Sequence, residues 1–447
     1  MLAFGLLALV MFGCVVGLGS EPQIPMVAGC AIAGGIALYL GFAWEDVLDG
    51  MVRGITEALE AVLILMCIGM LVGVWILSGT VPTMIAYGLH VVTPQLFLPV
   101  CFLVTLAVGV VLGAWGAAGT IGIAFIGIAA ALDIPLGMAA GAVVGAAYVS
   151  EIVSPLVDGP NLCAAIADCG VFGMCRRFVG LVLAVCAACA VAYAAMGTTL
   201  NVPDTVGDST AALIGALEQS FNIGPLTLVP LAVMIACIAL KVPAIPSFLA
   251  GVAIGMVEAV WLQGADLAHV VEAANTGAVV QTGFAQLDGL LSTGGIDEML
   301  PTISIVILVM AYGGIMQHTG LMESLVAPIV GRLRSLAALI PATVASGALF
   351  NVLLPDQYPA ITMSAQMYRA EFRRRGVPNK VWANIVNSSA GITSVLVPWN
   401  TCAIYMVTIL GVSCLEFAPF ALFCWVYPLV VAVATVIFPR AFGCIRR

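Results

Sequence analysis

The sequence predicts an all-α integral membrane protein made of two inverted repeats, each of about seven spans with a broken helix or re-entrant segment. Three observations carry this. Of 447 residues, 62% are hydrophobic and only 8% are charged, against roughly 25% charged in an ordinary soluble domain. The Lys and Arg residues all fall on one predicted side of a bilayer, and short motifs recur at a nearly constant offset.

Apolar runs suited to crossing roughly 30 Å of hydrocarbon lie at 2–19, 24–43, 57–79, 95–112, 116–132, 136–170 and 178–198. Seven more follow at 225–241, 243–262, 299–316, 336–354, 357–371, 381–412 and 416–437. The first begins at Leu2 with no basic segment before it and no small-residue cleavage site, so it is expected as a retained span. The runs 136–170 and 381–412 are too long, and too interrupted by Gly, Pro and polar residues, to be uniform helices; broken helices are expected there. The whole of 1–447 reads as one transmembrane domain, with approximate repeats 1–198 and 225–437 joined by an outside loop, 199–224.

Basic residues are retained in short cytoplasmic loops. With the N-terminus inside, the cytoplasmic segments contain Arg53, Arg176, Arg177, Lys241, Arg332, Arg334, Arg369, Arg373, Arg374, Arg375, Lys380, Arg440, Arg446 and Arg447, which are all 14 basic residues. The outside loops contain none, but hold Glu21, Asp133, Asp204, Asp208, Glu218, Asp266, Glu272 and Glu416. A multi-pass protein of the cell membrane with both termini cytoplasmic is expected. Topology accounts for the basic residues, so no nucleic-acid partner is expected; the partner is the lipid bilayer. The net charge of -9 is explained by acidic loops as well as by attraction for cations. The 14 cysteines sit almost entirely in apolar runs without zinc spacing, so neither disulfides nor a metal cofactor is expected.

The chain resembles itself at an offset of 239 or 240 residues. Asp49-Gly50 returns as Asp288-Gly289, and Asn161-Leu162-Cys163-Ala164 returns as Asn400-Thr401-Cys402-Ala403. SPLVDGPN, from Ser154 to Asn161, parallels SVLVPWN, from Ser394 to Asn400, with one residue deleted. An odd number of spans per half forces the second half to enter the membrane from the opposite side. Inverted repeats with a break at the same place in each half point to alternating-access transport, with the transported species bound near the midplane.

The first broken helix offers Glu151, Ser154, Asp158 and Asn161 beside Tyr148, Ser150, Pro155, Gly159 and Pro160. Oxygen donors around a break suit a hard cation or a proton, with Asp158 and Glu151 as sodium ligands; the alternative is that Pro and Gly merely break the helix. The second offers Asn387, Ser388, Thr393, Ser394, Trp399 and Asn400, with no carboxylate. These polar groups suit an ion or a small organic solute, or else bond across helices. Asp356, in Asp356-Gln357-Tyr358, falls where the chain reverses, as a binding residue or as a loop residue; its counterpart is the Gly-rich stretch 113–122. Glu60 is expected deeper in its span than Glu57, and Glu258 interrupts an apolar run as a further candidate proton site. His90, His269 and His318 carry no chemistry, and the constellation that an intramembrane enzyme needs is not visible.

Several motifs, in order, resemble the NhaC-type sodium/proton antiporter family of the ion transporter superfamily. They are WILSGTVPTMIAYGL (Trp75 to Leu89), AGTIGIAFIGIAAAL (Ala118 to Leu132), SPLVDGPNLC (Ser154 to Cys163), DQY (Asp356 to Tyr358) and TSVLVPWNTCAIYM (Thr393 to Met406). The resemblance implies exchange of a cation for protons, with related members that exchange malate for lactate or other organic solutes, and a homodimer by analogy with the superfamily. Sodium and protons are then transported species rather than cofactors. The chain departs from the family pattern at Asn387 and Ser388, where an acidic pair is usual, at Ser150-Glu151 in place of Gly-Asp, and at Gly113-Ala114 in place of Thr-Ser. The departures leave Glu151, Asp158 and either Glu258 or Asp356 to couple transport, or shift the expectation toward an organic solute.

Overall fold

Lipid offers the backbone no hydrogen-bond partner, so a spanning chain must satisfy its peptide groups internally, as helices or closed barrels do. In a computed structural model the described residues form helices and turns, with no strand among them. These are residues 2–18, 20–91, 93–155, 157–200, 206–240, 242–283, 288–289, 291–321, 335–354, 356–442 and 444. Lys241, Arg332, Arg334, Arg446, Arg447 and Asp204, used above for topology, lie outside them.

Among the described residues, seven helices are long and apolar enough to cross a membrane, or ten if each of three bent pairs is one span. The expected runs 2–19, 24–43 and 357–371 are helical but shorter or less apolar: α1 (Leu2–Met11, continued by a π-helical turn to Gly17), α2 (Gln23–Tyr39) and the helix Gln357–Arg374. The third expected span, 57–79, is the inner part of a longer helix, α3 (Trp44–Leu77). Its start is fixed by Asp46, whose carboxylate accepts the Ala43 N–H at 2.9 Å, and Glu45 and Asp46 face the positive helix end. The expected loop after it contains α4 (Thr80–Val91).

The runs 95–112 and 116–132 form a helical hairpin. Its first limb, α5 (Pro94–Ala117), breaks at Gly113 (φ 77, ψ 173) and continues through a π-helical segment, Ala118–Gly122, into α6 (Ile123–Ala131). The rings of Phe97 and Phe125 stand 6.0 Å apart, whereas a straight helix would hold them about 40 Å apart. The chain therefore reverses at Gly113, in a backbone region open only to glycine. Gly113→Ala is expected to cost about 1–3 kcal/mol, read as a lower thermal unfolding midpoint in detergent.

Next come the first broken segment, α7 (Leu136–Ala147), α8 (Ser150–Val153) and α9 (Asp158–Ala167), and then α10 (Val171–Thr199). The expected loop 199–224 holds α11 (Val206–Ser220), bent by 84° from the segment leading into α12 (Val229–Ala239). Then follow α13 (Ala244–Trp261), α14 (Leu267–Thr276) and α15 (Gly295–His318). Helices α3 and α15 run antiparallel in direct backbone contact. Gly50 lies against Gly314, Gly54 against Met310, and Gly69 against Gly295 and Met299, the small-residue packing that brings membrane helices together.

A second hairpin is formed by α16 (Leu336–Leu353) and α17 (Gln357–Arg374). Ser335 caps the first limb by accepting the Ala338 N–H at 3.1 Å, and Asp356 caps the second by accepting the Tyr358 N–H at 2.8 Å. The chain ends with the second broken segment, α18 (Asn379–Ala390) and α19 (Thr401–Leu410), bent by 48°, then α20 (Cys414–Phe417) and α21 (Leu422–Ile437). Arg177 at the start of α10 donates to the carbonyls of Ala441 and Phe442, which holds the tail against that end of the molecule.

Candidate functional site

The two breaks share a local cause. A residue before proline is pushed out of the helical region, and Ser154 before Pro155 (φ -89, ψ 120) and Val397 before Pro398 (φ -105, ψ 115) are both extended. Helix α8 stops there and α9 restarts at Asp158; the turn Ser394–Leu396 stops and α19 restarts at Thr401. The peptide groups freed by the breaks need partners, and polar side chains supply them.

Each break is fastened to the tip of a hairpin. At the first, Ser154 Oγ donates to the Val110 carbonyl at 2.9 Å, next to the Gly113 reversal. The Asn161 amide donates to the carbonyls of Pro155 at 2.9 Å and Val157 at 2.8 Å, holding the unwound loop closed. At the second, Asn400 Oδ1 accepts the Cys402 N–H at 3.1 Å while its amide donates to the carbonyl of Asn351 at 3.2 Å. Trp399 Nε1 donates to the Val352 carbonyl at 2.9 Å, and Thr401 Oγ1 donates to Asp356 Oδ2 at 2.5 Å. Asp356, Trp399 and Asn400 are thus brought together at the tip of the second hairpin.

Glu151, on α8 of the first broken segment, lies where that segment meets α18 of the second. It is 4% exposed, and its Oε2 has no hydrogen-bond partner among the described residues. The carboxylate lies on Gly159 of α9, where a Cβ would come within 2.5 Å of Oε2, so the glycine makes room for it. From the other side Asn387 on α18 donates its amide to the Glu151 main-chain carbonyl at 2.6 Å, and its own Oδ1 is left without a partner among the described residues. The buried Oδ1 atoms of Asn384 and Asn351 and the Ser394 hydroxyl are in the same condition. The Asn351 amide donates to the Ala390 carbonyl and to Thr393 Oγ1, both at 2.9 Å. Ser388 bonds within its own helix, to the Ile385 carbonyl.

Asp158 and Asn161 are exposed, on the open side of the first break. Tyr358, in the capped first turn of α17, reaches Asp158 with its hydroxyl at 3.5 Å from Oδ2. Glu60, expected deep in its span, is exposed, and the side chain of Glu57 lies outside the described residues. Glu258 is buried on α13, its Oε2 without a partner among the described residues, and no hydrogen bond links it to the groups above. No group of three or more His, Cys, Asp or Glu side chains among the described residues could hold a metal ion.

Asn351 is the group that the sequence reading missed. It is fully buried and touches both the Asn400 capping bond and Thr393; a lone amide near the end of an otherwise apolar helix was the available signal. Chemically, the arrangement is an unpartnered buried carboxylate, Glu151, with buried neutral amide and hydroxyl oxygens on the second broken segment and its hairpin, and a second buried carboxylate, Asp356, already bonded at the hairpin tip; such oxygens are a donor set for a hard cation or a proton.

The profile of the Na+/H+ antiporter family matches residues 146–439. A malate-2H(+)/Na(+)-lactate antiporter of Bacillus subtilis is 31% identical over 402 residues, covering 89% of this chain and 85% of that protein. The Na(+)/H(+) antiporter NhaC of Alkalihalophilus pseudofirmus is 30% identical over 414 residues, covering 91% and 88%. An arginine/ornithine antiporter, ArcD, of Halobacterium salinarum is 28% identical over 420 residues, covering 93% and 86%.

Proposed function

The chain belongs to the Na+/H+ antiporter family, and on that premise we propose that it exchanges sodium for protons by alternating access, with Glu151 as the group that binds one or the other. The carrying observation is the Glu151 carboxylate, buried with Oε2 unpartnered among the described residues. An isolated buried carboxylate is costly by several kcal/mol, and either a proton or a cation removes that cost. Two occupants that satisfy one oxygen cannot satisfy it together, and this competition is the coupling. Asn387, whose amide donates to the Glu151 main-chain carbonyl, ties α18 to the site; Ser154, Asp356, Thr393, Trp399 and Asn400 hold the breaks and tips that shape it, and Ser394 offers a buried hydroxyl without a partner among the described residues. Asp158, with Tyr358, stands at its exposed mouth, and Asn161 and Ser388 support the local backbone.

The two halves are proposed as inverted repeats, 1–198 and 225–437, in a cell-membrane protein with cytoplasmic termini that works as a homodimer. A helix break inside each of the aligned stretches 154–161 and 394–400, and a hairpin tip fastened to each break, support the repeat; the distribution of basic residues supports the orientation.

A second reading has its own support. Asn351, Asn384 and Asn387 offer neutral amide oxygens without partners among the described residues, and two relatives are named for organic solutes. Exchange of a small organic acid or amino acid would use those amides as hydrogen-bonding groups. Proton flux in proteoliposomes with an internal pH dye separates the readings: sodium added outside should drive proton release in wild type, with Asp158→Asn raising the sodium concentration needed rather than silencing exchange. If sodium drives nothing while malate, lactate or arginine drives counterflow, the organic-solute reading replaces it.

A further inference from the structure

An open cavity of about 640 Å³ lies between two corners of the chain, the α9–α10 turn and the α17–α18 turn. Its walls include Cys169, Gly170, Gly173, Arg373, Asn379 and Lys380. Among the described residues neither Arg373 nor Lys380 has an ion pair, whereas Arg374 and Arg375 are both engaged by Glu371, at 2.7 and 2.5 Å. The two remaining cations are therefore available to a ligand.

Other features of the cavity act with the same sign. Helix α10 begins at its wall with Val171 and α18 with Asn379, so first-turn N–H groups and the positive ends of two helices face the same region. Gly170 and Gly173 leave that backbone uncovered, since nothing lies within 4 Å of the place where a Cβ would stand. Asp168 is the acid at the rim; it is exposed, and its main-chain carbonyl accepts the Asn379 amide at 3.4 Å, a bond that already joins the two corners.

We propose that this cavity binds a phosphate ester, clamped by Arg373 and Lys380, and that the ligand fastens the α9–α10 corner to the α17–α18 corner. Arginine suits a phosphate because its fork donates two parallel bonds, and lysine adds a point charge. The volume exceeds what a bare phosphate fills, and Val377 and Pro378 give the remaining wall an apolar surface, which suits an ester with a small organic body. That ester comes either from an anionic lipid headgroup, for which basic pockets at the cytoplasmic face are suited, or from a soluble metabolite. Helix α9 carries Gly159 and α18 carries Asn387, so a ligand here bridges the two helices that meet at Glu151.

The test uses the full chain in detergent, without sodium, and follows thermal unfolding while short-chain phosphatidylglycerol or glycerol 3-phosphate, as sodium-free salts, or choline chloride at matched ionic strength is titrated in. The readout is binding, so it stands apart from the sodium/proton reading. A saturable rise in midpoint is expected for wild type with at least one of the two esters, none with choline chloride, and none in Arg373→Gln/Lys380→Gln. A rise with the lipid alone assigns the headgroup, and an equal rise with both assigns a soluble ester. Lys380→Gln alone should shift the half-saturating concentration about tenfold, the loss of one charge-assisted bond, which keeps the test open if the double variant does not fold. Equal rises in wild type and variants, or no rise with either ester, overturn the proposal.

Discussion

Glu151→Gln should reduce sodium-driven proton flux to the level of protein-free liposomes, at every pH tested. The substitution keeps the volume and a polar end group, so the packing of α8 on Gly159 survives, and the unfolding midpoint should stay near that of wild type. What it removes is the one group in the buried cluster able to take up and release a proton while also attracting a cation. Asp158, at the exposed mouth, is screened by water and cannot substitute for a desolvated carboxylate. Asp356 is buried but occupied, one oxygen taking the Tyr358 N–H and the other the Thr401 hydroxyl. A glutamine variant that still exchanged sodium for protons at the wild-type rate would sink the assignment and move attention to Asp356 and Glu258. Gly159→Ala is the companion change: its methyl group would press on Oε2, leaving the charge in place but displaced.

Gly54→Ala should be the most damaging single methyl group that can be added to the membrane core. A Cβ on Gly54 would fall far inside van der Waals contact distance of the Met310 carbonyl oxygen. Neither group is a flexible side-chain end, so α3 and α15 must part along their length, loosening the neighbouring Gly50 and Gly314 contact as well. Overpacking of this kind typically costs about 1–3 kcal/mol, and two rigid backbones place this site at or above the upper end. A marked fall in unfolding midpoint or in yield of folded protein is expected. Gly180→Ala on α10 is the control, because nothing lies within 4 Å of its Cβ position, and it should be neutral or slightly stabilising. Equal midpoints for the two variants would show that the α3–α15 contact can yield without cost.

Much of this architecture was legible in the sequence because its causes are local. Pro155 and Pro398 reshape the residue immediately before them, and polar residues crowd around both breaks, so the broken helices were readable from composition alone. Glu151, Asp356 and Asn387 were readable for the same reason: a charge or amide inside an apolar run needs a partner. Fastening between segments was not readable. That Ser154 bonds to Val110, or that Trp399 bonds to Val352, depends on which helices become neighbours. The reversal at Gly113 was visible as an interruption of the apolar run, but the 6.0 Å approach of Phe97 and Phe125 was not. The extent of α3 was underestimated because residues 44–57 are polar enough to resemble a loop. The exposure of Asp158 and Glu60 was also missed, since hydropathy locates a residue along a span but not around it.

Tyr405 of α19 stacks on Trp115 of the first hairpin with ring centroids 4.1 Å apart and planes 10° apart, and its hydroxyl donates to the Trp115 carbonyl at 2.8 Å. Far along the chain from each other, these two residues behave as one riveted joint. Any displacement of the late broken helix must carry the early hairpin with it, or first shear that joint. On the alternating-access proposal this joint places Trp115 and Tyr405 in one body, so that body draws residues from both proposed halves of the chain.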